Sequence, residues 1–183
     1  MIPDVIRTER LVLRPFREQD VDDVLTYAKD PEWARFLSVP QPYAKNDAEQ
    51  FIAVHLSADR KVDPAWAIER QGRVIGGIDL WIDLPNRVAE MGYSIARDLW
   101  GQGYTTEAAK AIIDNAFSHC PKLNRIKAMA DPRNPASIRV MEKIGMTWEG
   151  VLRQNRVIKG EIVDESWSGI LRTEWQTNEV STD

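Results

Sequence analysis

The spacing of apolar residues changes several times along the chain, and each change marks an element. From Arg10 to Phe16, "RLVLRPF", apolar and polar positions alternate with the period of a strand. In "EQDVDDVLTYAKD", Val21, Val24, Leu25 and Ala28 fall on one helical face, and Pro31 follows just past the end. "PEWARFLS" reads as a second short helix. After the break "PQPY", Asn46 is placed to cap a helix carrying Ala48, Phe51, Ile52 and Leu56. Three strands come next: "AWAIER" and "RVIGGIDLWI", joined by the turn "QG", then "RVAEMGYSIA". The spacing then predicts a helix from about Thr105 to Phe117 and a strand at "RIKAMA". "PASIRVMEKIGM" reads as a helix with Pro135 in its first turn and Gly145 at its end. Two strands close the pattern, about Trp148 to Val157 and Glu161 to Arg172, and "TNEVSTD" reads as a frayed tail.

This order of elements is α+β. It implies one domain over residues 1–176, a mixed, mostly antiparallel central sheet flanked by helices, with a crossover unit near the middle and a flexible tail at 177–183. The bulk numbers agree: 183 residues, 43% apolar and 28% charged, suit a single globular core. A formal net charge of −4 argues against a nucleic-acid partner. No apolar run approaches the roughly 18 residues of a membrane span, and "MIPDVIRTER" has no apolar signal core. No membrane partner and a cytoplasmic location are therefore expected. Cys120, before Pro121, is the single cysteine and reads as packing; His55 and His119 stand apart from any triad or ligand pattern, so no metal is expected. Asp20, Asp22 and Asp23 read as a solvated helix face.

One stretch is not explained by packing. "LWGQGYTTEA", Leu99 to Ala108, is a glycine-rich passage from strand to helix. A helix start leaves backbone N–H groups unpaired and carries partial positive charge. Glycines ahead of it let those groups approach an anion. Glu107 has Tyr104, not Ser or Thr, three residues before it, so no capping box occupies the donors. The donors from Gly101 to Thr106 are candidates to hold phosphate. No Gly-Lys-Ser/Thr follows, which excludes a Walker loop, and Thr106 replaces the third glycine of a dinucleotide fingerprint. On spacing alone, a plain pair of turn glycines fits as well.

A second motif, "NPASIRVMEKIGM" from Asn134 to Met146, lies one strand beyond. Together with "SIARDLWGQGYTTEAA", "TERLVLRPFREQD" and "PQPY…DAEQFI", it resembles the GNAT superfamily of acyl-coenzyme A N-acyltransferases, and within it the Rim-type ribosomal-protein N-terminal acetyltransferases. The resemblance runs from about Thr8 to Trp175. Trp100, Gly103 and Thr105 stand at the signature positions of the phosphate loop, and Trp100 and Thr105 depart from the superfamily's usual residues. The resemblance implies acetyl-CoA as cosubstrate. It implies that Gly101, Gln102, Gly103, Tyr104, Thr105 and Thr106 bind the pyrophosphate. It also implies that the backbone of Ser94, Ile95 and Ala96 pairs with the pantetheine arm and that Asn134 hydrogen-bonds it.

Acetyl transfer to an amine needs a base, a polarised carbonyl and a proton for the leaving thiolate. Glu90 is the candidate base, because strand alternation sets it on one face with Gly92 and Ser94, and Met91, Tyr93 and Ile95 on the other. Ser137, one helical turn after Asn134, is the candidate donor to the sulfur, as the resemblance implies. Met141 stands where many family members carry a tyrosine, which shifts weight to Ser137 or water. Asp79 and Trp81 share a strand face suited to a cationic amine, and Trp33 and Tyr43 line the acceptor mouth by analogy. The expected acceptor is a protein N-terminus or a small-molecule amine, and the chain a monomer or homodimer. A non-catalytic acyl-CoA-binding module is the alternative, and a dinucleotide oxidoreductase is poorly supported.

Overall fold

A computed structural model describes residues 1–180 of the chain, with side chains as far as Gln176. Eight strands form one sheet in the order β1-β2-β3-β4-β5-β6-β8-β7. They are β1 (Ile6–Arg7), β2 (Val12–Arg14), β3 (Ala65–Arg70), β4 (Arg73–Asp83), β5 (Val88–Ile95), β6 (Arg125–Ala130), β7 (Thr147–Ile158) and β8 (Glu161–Leu171). Every pairing is antiparallel except β5 with β6, the one parallel pair among the described strands. Five helices flank it: α1 (Val21–Ala28), α2 (Lys45–Ser57), α3 (Tyr104–His119), α4 (Pro135–Lys143) and α5 (Arg172–Val180). This is the expected mixed sheet, with the crossover helix α3 where the pattern put it.

Alternation divides the apolar residues between two cores, one on each face. Trp66, Ile68, Ile78, Leu80, Met91 and Ile126 meet α3, α4 and α5. Ala65, Ala67 and Val74 meet α1 and α2 through Phe16, Val24, Tyr43 and Ile52. The hairpin turn between β3 and β4 places Gln71 and Gly72 at positive φ, 52° and 78°, as a two-residue turn requires.

Four sequence expectations change. Residues 31–37 form successive turns, not a helix, because the Trp33 ring packs against Tyr27 and Tyr43 and pulls the segment onto the second core. The cap of α2 is Ala44, not Asn46; Asp47 supplies the missing side-chain acceptor by taking the Ala44 N–H at 2.7 Å. Asp20 is buried, not solvated: Arg14 Nη1 and Nη2 donate to it at 2.8 and 2.9 Å and the Arg17 N–H at 2.7 Å. Asp23 also has a structural task, accepting the Val74 N–H at 2.8 Å. At the other end, α5 extends to Val180, into the stretch read as a tail, and residues 181–183 lie outside the described residues. No helix among the described residues is long and apolar enough to cross a membrane.

Candidate active site

The crossover creates an opening in the sheet. β5 and β6 pair only from Val88 with Arg125 to Met91 with Ala128. Beyond that point β6 stays with β8, while β5 stays with β4 through Gly92–Asp79 and Ile95–Gly76. The two strands therefore part after Met91. The Ala96 N–H donates to the Ile75 carbonyl at 2.8 Å, so ladder alternation turns the backbone of Ser94 and Ala96 toward β4 and that of Tyr93 and Ile95 toward the gap. The Ile95 carbonyl accepts from Trp100 Nε1 at 2.9 Å. The Ile95 N–H and the Tyr93 groups are what an extended amide arm in the gap would meet.

At the end of β5 the chain turns into α3 through Gly101 and Gly103. Gly103 is the N-cap, at φ 81° and ψ 1°, and no side chain caps the helix. That left-handed conformation is open to glycine at little cost, and it leaves the first N–H groups of a 16-residue helix without a side-chain acceptor. Arg10 straps the turn from outside: its Nη1 donates to the Gln102 carbonyl at 3.0 Å and its Nε to Glu107 at 2.6 Å. Gln102 itself turns away, donating to the Asp98 carbonyl at 3.1 Å.

The turn lines a cleft of about 430 Å³ shared by Tyr93 to Ile95, the start of α3, and α4. Gly101, Gly103, Tyr104, Thr105, Thr106, Asn134 and Ser137 all border it. So do Arg35, paired with Glu32, Arg133, paired with Asp131 and Glu161, and Arg139 and Lys143, cations that sequence spacing does not single out and of which the last two complement a phosphorylated ligand. Trp33 borders it too, 9% exposed, its indole N–H without a partner among the described residues, while Tyr43 packs behind it. A wider hollow of about 550 Å³ beside α1 is lined by ion-paired groups, Arg97 with Asp30 and Arg73 with Asp23, and does not reach the glycine turn.

Two hydroxyls meet at the cleft wall. Tyr93 Oη lies 3.0 Å from Ser137 Oγ and donates within 3.1 Å of the Ser137 carbonyl. Burial pushes the phenol up to about 12, so it stays a neutral hydrogen-bonding group. Sequence spacing carries no signal for Tyr93, because its partner is 44 residues away. Asn134 caps α4 by accepting the Ser137 N–H at 3.2 Å, and Met141 is fully buried in the core.

Glu90, Asp79 and Trp81 lie on the opposite face of the sheet, as alternation requires. Glu90 is ion-paired with Lys127 at 3.1 Å, and Lys127 rests on the Trp167 ring. Asp79 has no cation paired with it among the described residues. Burial pushes its carboxyl up to about 6, Asp63 and Glu90 add to the rise, and the Gly92 amide opposes it. Trp81 is 53% exposed. The gap after Met91 lies between the cleft and this acidic face.

Comparison with known proteins agrees with this layout. Residues 10–147 match the family described as the acetyltransferase (GNAT) domain. A curated relative, "Uncharacterized N-acetyltransferase p20" of Bacillus licheniformis, is 31% identical over 94% of this chain and 98% of its own. Spermidine N(1)-acetyltransferase of Escherichia coli K12 is 24% identical over 81% of this chain and 79% of its own. A GNAT-family acetyltransferase from Bacillus anthracis, solved as a crystal structure, superposes with a TM-score of 0.83 at 27% identity, covering 92% of this chain and 99% of that one. The chain belongs to the GNAT family and is an acetyl-CoA-dependent N-acetyltransferase.

Proposed function

We propose that this enzyme acetylates the α-amine of a protein or peptide N-terminus by direct attack on acetyl-CoA held in the cleft. The residues present suit that cosubstrate: an uncapped helix start behind glycines for the pyrophosphate, an open strand edge for the amide arm, and Arg139 and Lys143 at the mouth. The thioester supplies the acetyl group. The acceptor approaches from the face of Asp79 and Trp81. Ser137 Oγ, held by Tyr93, donates a hydrogen bond to the departing sulfur.

The charge balance of that face carries the acceptor reading. Glu90 is already matched by Lys127, and Glu165 by Arg156 at 3.7 Å and Asn155 at 2.7 Å. Asp79, with Asp63 in the loop ahead of β3, is unpaired there among the described residues, and Asp83, further along the same face of β4, is occupied by the Asn86 amide at 2.7 Å. One ammonium followed by a neutral chain fits such a face. A polycation such as spermidine, named for the E. coli relative, would bring further ammonium groups against Lys127, with their desolvation only partly offset by Asp63 and Asp83. The test compares kcat/KM for short N-terminal peptides, spermidine and an aminoglycoside by thiol release. Peptides are expected to lead. Efficient turnover of the polycations with no detectable peptide acetylation overturns the N-terminal reading and leaves the acetyltransferase standing.

A further inference from the structure

We infer that Asp79, not Glu90, takes the proton from the acceptor ammonium. This rests on the reading above only in placing the acceptor on that face. Gly92 is the first β5 residue past the last β5–β6 pair, so it stands at the fork where the strands part. The Asp79 carboxylate lies over it: a Cβ built on Gly92 would sit 2.9 Å from Asp79 Oδ1 and 3.1 Å from Oδ2. The absence of a side chain at 92 is what lets a carboxylate from the neighbouring strand reach the fork. Glu90 lies two residues back, where β5 and β6 are still paired, with Lys127 as its cross-strand neighbour.

The groups facing Asp79 also separate the two roles. Asp63 and Glu90 bear on it with negative charge, the Gly92 amide opposes them, and Lys127, on the neighbouring strand, is engaged by Glu90. A carboxylate with a pKa near 6 is ionised at neutral pH yet a stronger base than a free aspartate. In the step, Asp79 removes one proton from R–NH3⁺ to give R–NH2 and a neutral carboxyl. The nitrogen lone pair forms the C–N bond at the thioester carbon, and the C–S bond breaks with its electron pair on sulfur. The second nitrogen proton goes to the thiolate, completing coenzyme A, and Asp79 returns its proton to solvent. Glu90 then acts as a positioning residue that keeps Lys127 from neutralising Asp79.

The test uses the full chain with whichever acceptor, N-terminal peptide or spermidine, the wild-type enzyme turns over. If neither is turned over, the function reading fails first, and the titration below still decides the charge state of Asp79. Asp79→Asn is expected to lower kcat/KM at pH 7 by roughly 10²–10⁴-fold, with acetyl-CoA affinity unchanged by calorimetry. The acid limb of the wild-type pH profile, with its midpoint near 6, disappears in Asp79→Asn. Glu90→Gln keeps that limb and loses less than tenfold. Carbon NMR of labelled aspartate in the free protein shows one carboxyl titrating near 6, a signal missing from Asp79→Asn. Asp79→Asn also melts higher than wild type at pH 8, because it removes a carboxylate whose charge is disfavoured in the fold, and the gain vanishes below pH 4, where the carboxyl is neutral in both states. An Asp79→Asn rate within threefold of wild type, loss of the limb in Glu90→Gln, or a raised KM with unchanged kcat overturns the assignment.

Discussion

Gly103→Ala separates what the glycine turn does for the fold from what it does for the cosubstrate. Gly103 sits at φ 81°, and a Cβ there would meet nothing closer than Arg10 Nη2 at 3.5 Å, an ordinary contact. The folded-state cost is thus the left-handed backbone alone, about 1–2 kcal/mol for a residue with a Cβ. For a chain of this size that lowers Tm by roughly 2–8 °C. Gly72, in the turn between β3 and β4, has nearly the same φ, 78°, and no atom within 4 Å of its would-be Cβ. Gly72→Ala is therefore a matched control for strain, away from the cleft. Only Gly103→Ala puts a methyl group where the α3 N–H groups would meet phosphate. A lost charge-assisted hydrogen bond is worth about 1.5–3 kcal/mol, or roughly 10- to 140-fold in Kd. Calorimetry with acetyl-CoA, below the Tm of both variants, should show that weakening for Gly103→Ala and none for Gly72→Ala. Binding of S-acetylpantetheine, which has no pyrophosphate, should be the same in all three proteins. A Gly103→Ala affinity within twofold of wild type, or an equal loss in Gly72→Ala, refutes the pyrophosphate assignment.

Further outcomes follow from other contacts. Ser137→Ala should lower kcat by more than it raises the acetyl-CoA KM; a change confined to KM would make the hydroxyl a binding group. Asp20→Ala strips the buried Arg14 of two hydrogen bonds and leaves it Glu69 at 2.6 Å and the Pro15 carbonyl at 3.0 Å, so unfolding should be easier by about 3 kcal/mol, the low end for a broken buried pair; a loss under 1 kcal/mol in a urea titration contradicts this. His55 stacks on Phe16 and packs edge-on to Phe51, and burial lowers its pKa. The unfolded chain then binds a proton first, so stability should hold above pH 6.5 and fall as pH drops below it, a dependence absent from His55→Phe.

Periodicity was enough to locate most elements, because strands and helices are local patterns. It failed at residues 31–37, where the Trp33 contacts with Tyr27 and Tyr43 override a helical spacing, and at Asp20, whose partner Arg14 lies in another element. The conformation of the glycine turn was legible for the same local reason: the left-handed glycine and the uncapped helix start both sit within Leu99–Thr106. The contacts between elements were not. That Glu90 meets Lys127 on one face and Tyr93 meets Ser137 on the other depends on which strand and helix become neighbours, and alternation fixes a residue's face but not its neighbours.

The topology nevertheless constrains where the two halves of the site can be. A parallel pair needs a crossover, and the helix of that crossover must begin at the C-terminal end of the first strand. The uncapped start of α3 therefore lies at the same end of β5 as the fork after Met91. An anion held at Gly103 and an amide arm along Tyr93 and Ile95 run in one direction, back along β5 toward Gly92. An acceptor arriving from the Asp79 face reaches that line only where β5 and β6 have separated. On the proposed reading the chemistry is confined to the position where the sheet lacks a hydrogen-bonded neighbour and the strand lacks a side chain. A side chain at 92 would close the approach from Asp79 while leaving the cosubstrate cleft intact, which makes Gly92, more than either glycine of the turn, the residue that joins the two faces.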